Sequence, residues 1–284
     1  MINGRGILLL NNNNYRNNME NTLDSQFCSI IDSFNIKESD TVVLCDIDGT
    51  IFRNSLFIDI AEALLDELIQ KGVLTEQHKE EYQEQMNLWK RREIAYDEYL
   101  HYIIENFVVN IKGLPESWLT DKSFEVVQKN HKIIYLWTKQ LLDEYIRQGA
   151  KVILVSGSPY QAAEYFAKIN NFTGTVATIY LKDEDNILTG ERLRMFSSVS
   201  KMQVFNYIKE KYNPRKIVGI GDTKGDFELI KNSDEAYAIN PSGELLSLLN
   251  EEYFLNPQTD KTIVLERKDM ALCIPFHTIF NKQN

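Results

Sequence analysis

Five short apolar runs, at residues 42–45, 152–155, 176–180, 217–220 and 236–239, constrain the fold of this chain more than any other feature. Each has strand length, is rich in Val and Ile, and is nearly continuous instead of alternating with polar residues. That pattern belongs to strands buried on both faces of a sheet. Most of the runs follow a helical pattern. One is Ile133, Ile134, Trp137, Leu141, Leu142, Tyr145 and Ile146, which closes on Gly149 as a helix end does. The expectation is an α/β fold with a Rossmann-like parallel sheet sandwiched between helices.

About a hundred residues separate the first run from the second, far more than a connection within such a sheet requires. Ala61, Leu64, Leu65, Leu68 and Ile69 carry helical spacing, and 76–92 and 95–108 read as helices too. An all-helical insertion is therefore expected at 55–130, with 36–54 and 131–284 forming the core. Residues 1–35 read as a lead-in. Its asparagine tract, 11–18, cannot bury a core, and Met19, Leu23, Phe27, Ile30, Ile31 and Phe34 have the spacing of one amphipathic helix.

Composition narrows the partners. A chain of 284 residues has room for a core domain and a smaller inserted one. Its net charge of −10 argues against nucleic acid or an anionic membrane surface, which are gripped by Lys and Arg. No apolar run is long enough to span a bilayer, and the stretch at 7–10 is too short for a signal-peptide core. Cys28, Cys45 and Cys273 are few, odd in number and far apart, which suits neither a disulfide framework nor a zinc site. A cytoplasmic location is expected.

In open α/β sheets ligands bind beyond the carboxyl ends of the strands, so the residues after each run carry the most weight. The first run leads into Asp46 and Asp48, the second into Ser156-Gly157-Ser158, and the fourth into Gly221-Asp222, with Asp226 shortly after. Lys201 opens a helical pattern ahead of the fourth. Carboxylates gathered at one edge would repel one another unless a divalent cation and a fixed ammonium offset them. With no His or Cys beside them, the set calls for a hard cation of the Mg²⁺ type. Phosphoryl transfer needs an in-line nucleophile, a proton donor and positive charge around the phosphoryl oxygens. Asp46 is placed to be the nucleophile and Asp48 the acid and base, while Gly49, Thr50 and Ser156 would meet the phosphate.

These residues resemble the haloacid dehalogenase superfamily, in particular its phosphatases of the phosphoserine phosphatase type, over about residues 42–245. The segment DIDGT resembles the family's first motif, VSGS its second, Lys201 its third and GDTKGD, 221–226, its fourth. LTGERLR, 188–194, is similar to the family's hairpin after the third strand. The resemblance implies a helical cap and a small phosphorylated substrate hydrolysed through an aspartyl-phosphate. It implies phosphate contacts from Thr50, Ser156, Gly157 and Lys201, and Mg²⁺ held by Asp46, Asp48 (through its carbonyl), Asp222 and Asp226. Asp48 speaks against dehalogenation, because dehalogenases of the superfamily lack a second aspartate there. A phosphotransferase of the same fold and a non-catalytic phosphate-binding module are the alternatives.

One departure from that pattern concerns the substrate. Where phosphoserine phosphatases carry a glutamate that meets the substrate ammonium, this chain has Arg53-Asn54-Ser55, with Asp59 and Glu62 the nearest carboxylates. Arg53 at the mouth suits a substrate with extra negative charge. Lys90-Arg91-Arg92 reads as a solvated helix face. Tyr82, Trp89, Tyr96, Tyr99 and Tyr102 read as core of the helical insertion rather than as a cage for a cationic headgroup.

Overall fold

The computed structural model describes residues 23–255, 261–268 and 270–279. The asparagine tract and the first residues of the expected leading helix lie outside the described residues. Within them that helix, α1, runs Ser25–Asp32 and buries Phe27 and Ile31.

All five expected strands form, the hairpin expected at 188–194 forms as a sixth, and two more join them. The sheet comprises β1 (Thr41–Cys45), β2 (Lys151–Pro159), β3 (Gly174–Lys182), β4 (Leu188–Leu193), β5 (Lys216–Gly221), β6 (Glu235–Ile239), β7 (Lys261–Arg267) and β8 (Met270–Pro275). Its eight strands lie in the order β4-β3-β2-β1-β5-β6-β7-β8. β3 to β7 pair in parallel through the centre, whereas β4 and β8 run antiparallel to their neighbours at the two edges. The expected parallel sheet is thus a mixed one. Its edge strands are short hairpin returns that alternate or expose their side chains, which is why they lack the continuous apolar signature.

β1 shows why the runs are continuous. Val43 and Cys45 pack into one buried cluster and Val42 and Leu44 into another, on opposite faces of the sheet. Each such side chain contributes roughly 1.5–3 kcal/mol by leaving water. The second face is covered by α1 and by α8, whose numbering follows the remaining helices in chain order. These are α2 (Leu56–Gln70), α3 (Glu76–Lys90), α4 (Tyr96–Ile111), α5 (Glu116–Asn130), α6 (Leu136–Arg147), α7 (Tyr160–Ile169), α8 (Ser198–Tyr212), α9 (Phe227–Asn232), α10 (Gly243–Leu255) and α11 (Phe276–Ile279).

α2 to α5 occupy the long interval between β1 and β2. Ser55 caps α2 by accepting from the Ile58 amide at 3.3 Å, and Leu56, Ile60, Leu64 and Leu68 then form a buried stripe. Phe57 meets Phe107 of α4 edge-on at 5.3 Å. The stripe belongs to the same apolar cluster as Val43, Cys45, Val152 and Leu154 of the sheet.

The chain leaves and re-enters the sheet side by side. The Arg53 amide donates to Ile133 O at 2.9 Å and the Tyr135 amide to Ile51 O at 2.9 Å. Glu266 of β7 fastens both crossings, accepting from Arg53 Nη2 at 3.0 Å, the Leu136 amide at 2.7 Å and the Trp137 amide at 3.1 Å.

Candidate active site

β1 lies at the switch point of the sheet, with β2 on one side and β5 on the other, so a crevice opens at their carboxyl ends. The Asp46 amide donates to Ile220 O at 2.9 Å, which extends the β1–β5 pairing to the first carboxylate. The loop then turns back, with the Gly49 amide on Phe52 O at 2.8 Å and the Phe52 amide on Ile47 O at 2.9 Å. Gly49 adopts φ +82°, and a Cβ there would stand 2.2 Å from Asp222 Oδ2. Conformation and space both demand glycine.

Lys201 is buried in the first turn of α8, which Ser197 caps. Its ammonium donates to Asp46 Oδ1 at 2.7 Å and to Asp226 Oδ1 at 2.5 Å. The other Asp226 oxygen accepts from the amides of Asp222 at 3.2 Å and Thr223 at 3.1 Å, so the β5 loop closes around it. Asp46, Asp222 and Asp226 bring one oxygen each within 4.8 Å of one another. Three carboxylates facing one ammonium leave an excess of negative charge, and every donor is oxygen, which fits a hard divalent cation.

The electrostatics express that excess. Burial raises Asp46 to about 7, with Asp226 and Asp48 adding to the rise and Lys201 opposing it. Asp222 stands well above the ordinary carboxylate range, through burial and then the charges of Asp46 and Asp226. Burial works against the Lys201 ammonium, but Asp226 and Asp46 outweigh it and hold the group charged.

Asp48 sits apart from the oxygen cluster. Its Oδ2 accepts from Ser158 Oγ at 2.5 Å and its Oδ1 from the Leu56 amide at 2.7 Å. Burial raises it to about 6, against the pull of those two donors. Asp46, Asp48, Gly157 and Lys201 line a cleft of about 90 Å³ together with Ser55, Phe57, Tyr96 and Phe196.

Residues 43–231, which hold every expected site residue, match the family described as haloacid dehalogenase-like hydrolase. The chain belongs to that family. ML2424 of Mycobacterium leprae (strain TN) is 28% identical over 121 residues, 42% of this chain and 40% of that protein. Phosphoserine phosphatase SerB1 of Mycobacterium tuberculosis (strain ATCC 25618 / H37Rv) is 26% identical over 117 residues, 40% of this chain and 38% of that one. The matches thus span about two fifths of these curated relatives. Among solved structures, a protein with unknown function from Bordetella pertussis Tohama I shares the fold with a TM-score of 0.59 at 14% identity, over 75% of this chain and 96% of that one. A substrate-bound phosphoserine phosphatase complex gives 0.50 at 19% identity, over 75% and 91%. At these identities the likeness is one of fold.

Within this haloacid dehalogenase-like hydrolase, several of the expected site groups already have partners in the protein. The Thr50 hydroxyl, fully buried, donates to Asp222 Oδ1 at 2.7 Å and so orients a carboxylate instead of facing the cleft. Ser156 is also fully buried, and its Oγ accepts from the Ser158 amide at 3.1 Å. The Asp48 carboxylate lies outside the oxygen cluster, accepting from Ser158 and Leu56, which is compatible with the expected metal contact through its carbonyl.

Arg53 is the clearest correction. It does not line the cleft: its guanidinium pairs with Glu266, its Nε donates to Ile134 O at 2.7 Å, and it lies over the Tyr135 ring. Asp59 is likewise committed, accepting from Asn130 at 2.8 Å, and neither it nor Glu62 reaches the cleft. Arg91 pairs with Glu84 and Glu93 on an exposed helix face, as a solvated charge run does. The aromatic stripe divides. Trp89 stacks on Tyr99 within the helices, while Tyr96 turns to the cleft. Sequence reasoning named Ser158 and Tyr96 without giving either its place beside Asp48 or in the cleft, and missed Phe196. For Ser158 the signal was a second hydroxyl directly after Gly157.

Proposed function

We propose that this hydrolase is a phosphomonoesterase, acting on a small phosphorylated metabolite in two steps through phosphorylated Asp46. The observation that carries this reading is the Lys201 ammonium bridging Asp46 and Asp226 while Asp48, raised in pKa, faces the same cleft. A carboxylate nucleophile with an adjacent, separately held carboxylic acid is what ester cleavage at phosphorus requires.

In the first step Asp46 attacks phosphorus and the bond to the alcohol oxygen breaks. Asp48, protonated, gives its proton to the departing alkoxide. In the second step Asp48, now a carboxylate, takes a proton from the water that attacks the phosphorus of the acyl phosphate. This frees Asp46 and releases inorganic phosphate. Lys201 holds positive charge against the phosphoryl oxygens, and the Gly157 backbone lets them approach. Mg²⁺ held by the Asp46, Asp222 and Asp226 oxygens, with the Asp48 carbonyl, would supply the remaining charge compensation.

Residues 55–130 act in this reading as a cap that keeps bulk water from the acyl phosphate. The three described cysteines are unpaired, which supports a reducing, cytoplasmic setting. Among the described residues no helix is long and apolar enough to cross a membrane.

Release of inorganic phosphate from an aryl phosphate, with and without Mg²⁺, tests the reading in the native chain and Asp46→Asn. Mg²⁺-dependent release abolished by Asp46→Asn is expected. Turnover that survives Asp46→Asn would remove the nucleophile, and none across a broad ester panel would remove the phosphatase.

A further inference from the structure

The cleft at Asp46 does not end behind the phosphate position. Beyond Tyr96, Leu100, Ile104 and Phe196, which line both spaces, it continues into a cavity of about 540 Å³ between α4 and the segments 192–199 and 223–227. A space of that order accepts whole organic ligands and far exceeds a serine-sized alcohol. Its walls are mainly apolar. Leu100 and Ile104 face Val199 and Phe227 across it, and Phe196 and Val199 remain 39% and 62% exposed. Apolar side chains left uncovered around one concavity, continuous with a reactive centre, mark a place for an apolar ligand.

Asp97, Glu105, Arg192, Arg194 and Lys224 bring charge to the rim of the cavity, with His101 beside them. Asp97 and Glu244 both pair with Lys224, and Glu105 pairs with Arg192 at 3.1 Å. The two carboxylates on the cavity wall, Asp97 and Glu105, thus each lie against a cation, which leaves no unpaired carboxylate there for the ammonium of an amino-acid substrate. We propose that the alcohol leaving group is bulky and mainly apolar, an alkyl chain or aryl body that lies over Phe196 and between Leu100 and Val199. This rests on the phosphomonoesterase reading for the position of the phosphate.

Ethyl and n-hexyl phosphate test it, because their alkoxides leave equally well and only the chain length differs. From ethyl to hexyl, kcat/KM is expected to rise at least about tenfold. Val199→Asp, at an exposed helix position, is expected to return that ratio towards one. Calorimetry on Asp46→Asn reads the same cavity without turnover, and hexyl phosphate is expected to bind at least about tenfold tighter than phosphoserine. A flat chain-length dependence, or phosphoserine binding as tightly as hexyl phosphate, would overturn the proposal. If no ester is hydrolysed but hexyl phosphate binds preferentially, the phosphomonoesterase reading fails and the cavity assignment stands.

Discussion

Replacing Lys201 by methionine removes the ammonium that pairs with Asp46 and Asp226 and leaves the apolar stem in place. Its contacts at 2.7 and 2.5 Å each represent roughly 6 kcal/mol of Coulomb attraction at an effective dielectric constant of about 20. Desolvation of the charges offsets most of that, and breaking a buried pair from one side costs about 3–5 kcal/mol net. The loss must also depend on pH. Asp46 is raised from 3.8 to about 7, so its contribution to stability is fully present below 3.8 and is lost as pH rises through about 7. Without Lys201 opposing it, that carboxyl rises further and the loss extends to higher pH. Urea unfolding of the native chain and Lys201→Met, with chelator present, should therefore show a deficit of about 4 kcal/mol at pH 8 and less than half of that at pH 5. A deficit equal at both pH values, or larger at pH 5, would refute the account of the cluster as charge held by one ammonium.

Ser158→Ala removes the donor at 2.5 Å from Asp48, so the Asp48 carboxyl rises further above about 6. Because it acts protonated in the first step, the alkaline limb of the rate profile should move up by about one pH unit, and an unmoved limb would dismiss the pairing. Gly49→Ala forces a Cβ towards Asp222 at a positive φ, and should lower kcat at least about 100-fold and stability by about 1–3 kcal/mol, read by kinetics and thermal unfolding. Arg53→Met should lower stability by about 2 kcal/mol through the loss of a partner for buried Glu266, while KM stays within about twofold. A tenfold rise in KM would restore Arg53 as a substrate contact.

What the sequence made legible follows from what each signal encodes. Strands buried on both faces must be apolar at every position, and β1 with its alternating partners Val42, Val43, Leu44 and Cys45 is a direct record of that. Asp46 and Asp222 were visible because they stand immediately after such strands, and Lys201 because the carboxylates need a cation. Edge strands β4 and β8 escape the rule, since one face or one edge meets water and polar residues suffice. Hydroxyl direction escapes it too. Thr50 and Ser156 are legible as hydroxyls near the strand ends, yet only packing decides that the Thr50 proton goes to Asp222. Arg53 was misplaced for a related reason. Its partner Glu266 lies on β7, far along the chain, and no local pattern announces a contact of that range. Tyr96 and Tyr99, three positions apart on one helix, show the same limit, one in the cleft and one in the core.

The bonds at Glu266 have a mechanical meaning. Arg53 stands on the outgoing crossing to the helices of 56–130, and Leu136 and Trp137 on the returning one, and a single carboxylate of β7 grips both. Two attachments held at one carboxylate fix the place where the inserted helices leave and rejoin the sheet. Asp46, bonded to Ile220 of β5, is anchored apart from that point, while Tyr96 and Leu100 reach the crevice from α4. The geometry at the carboxylates is thus set within the sheet, and the side chains of α4 add only the outer wall of the crevice.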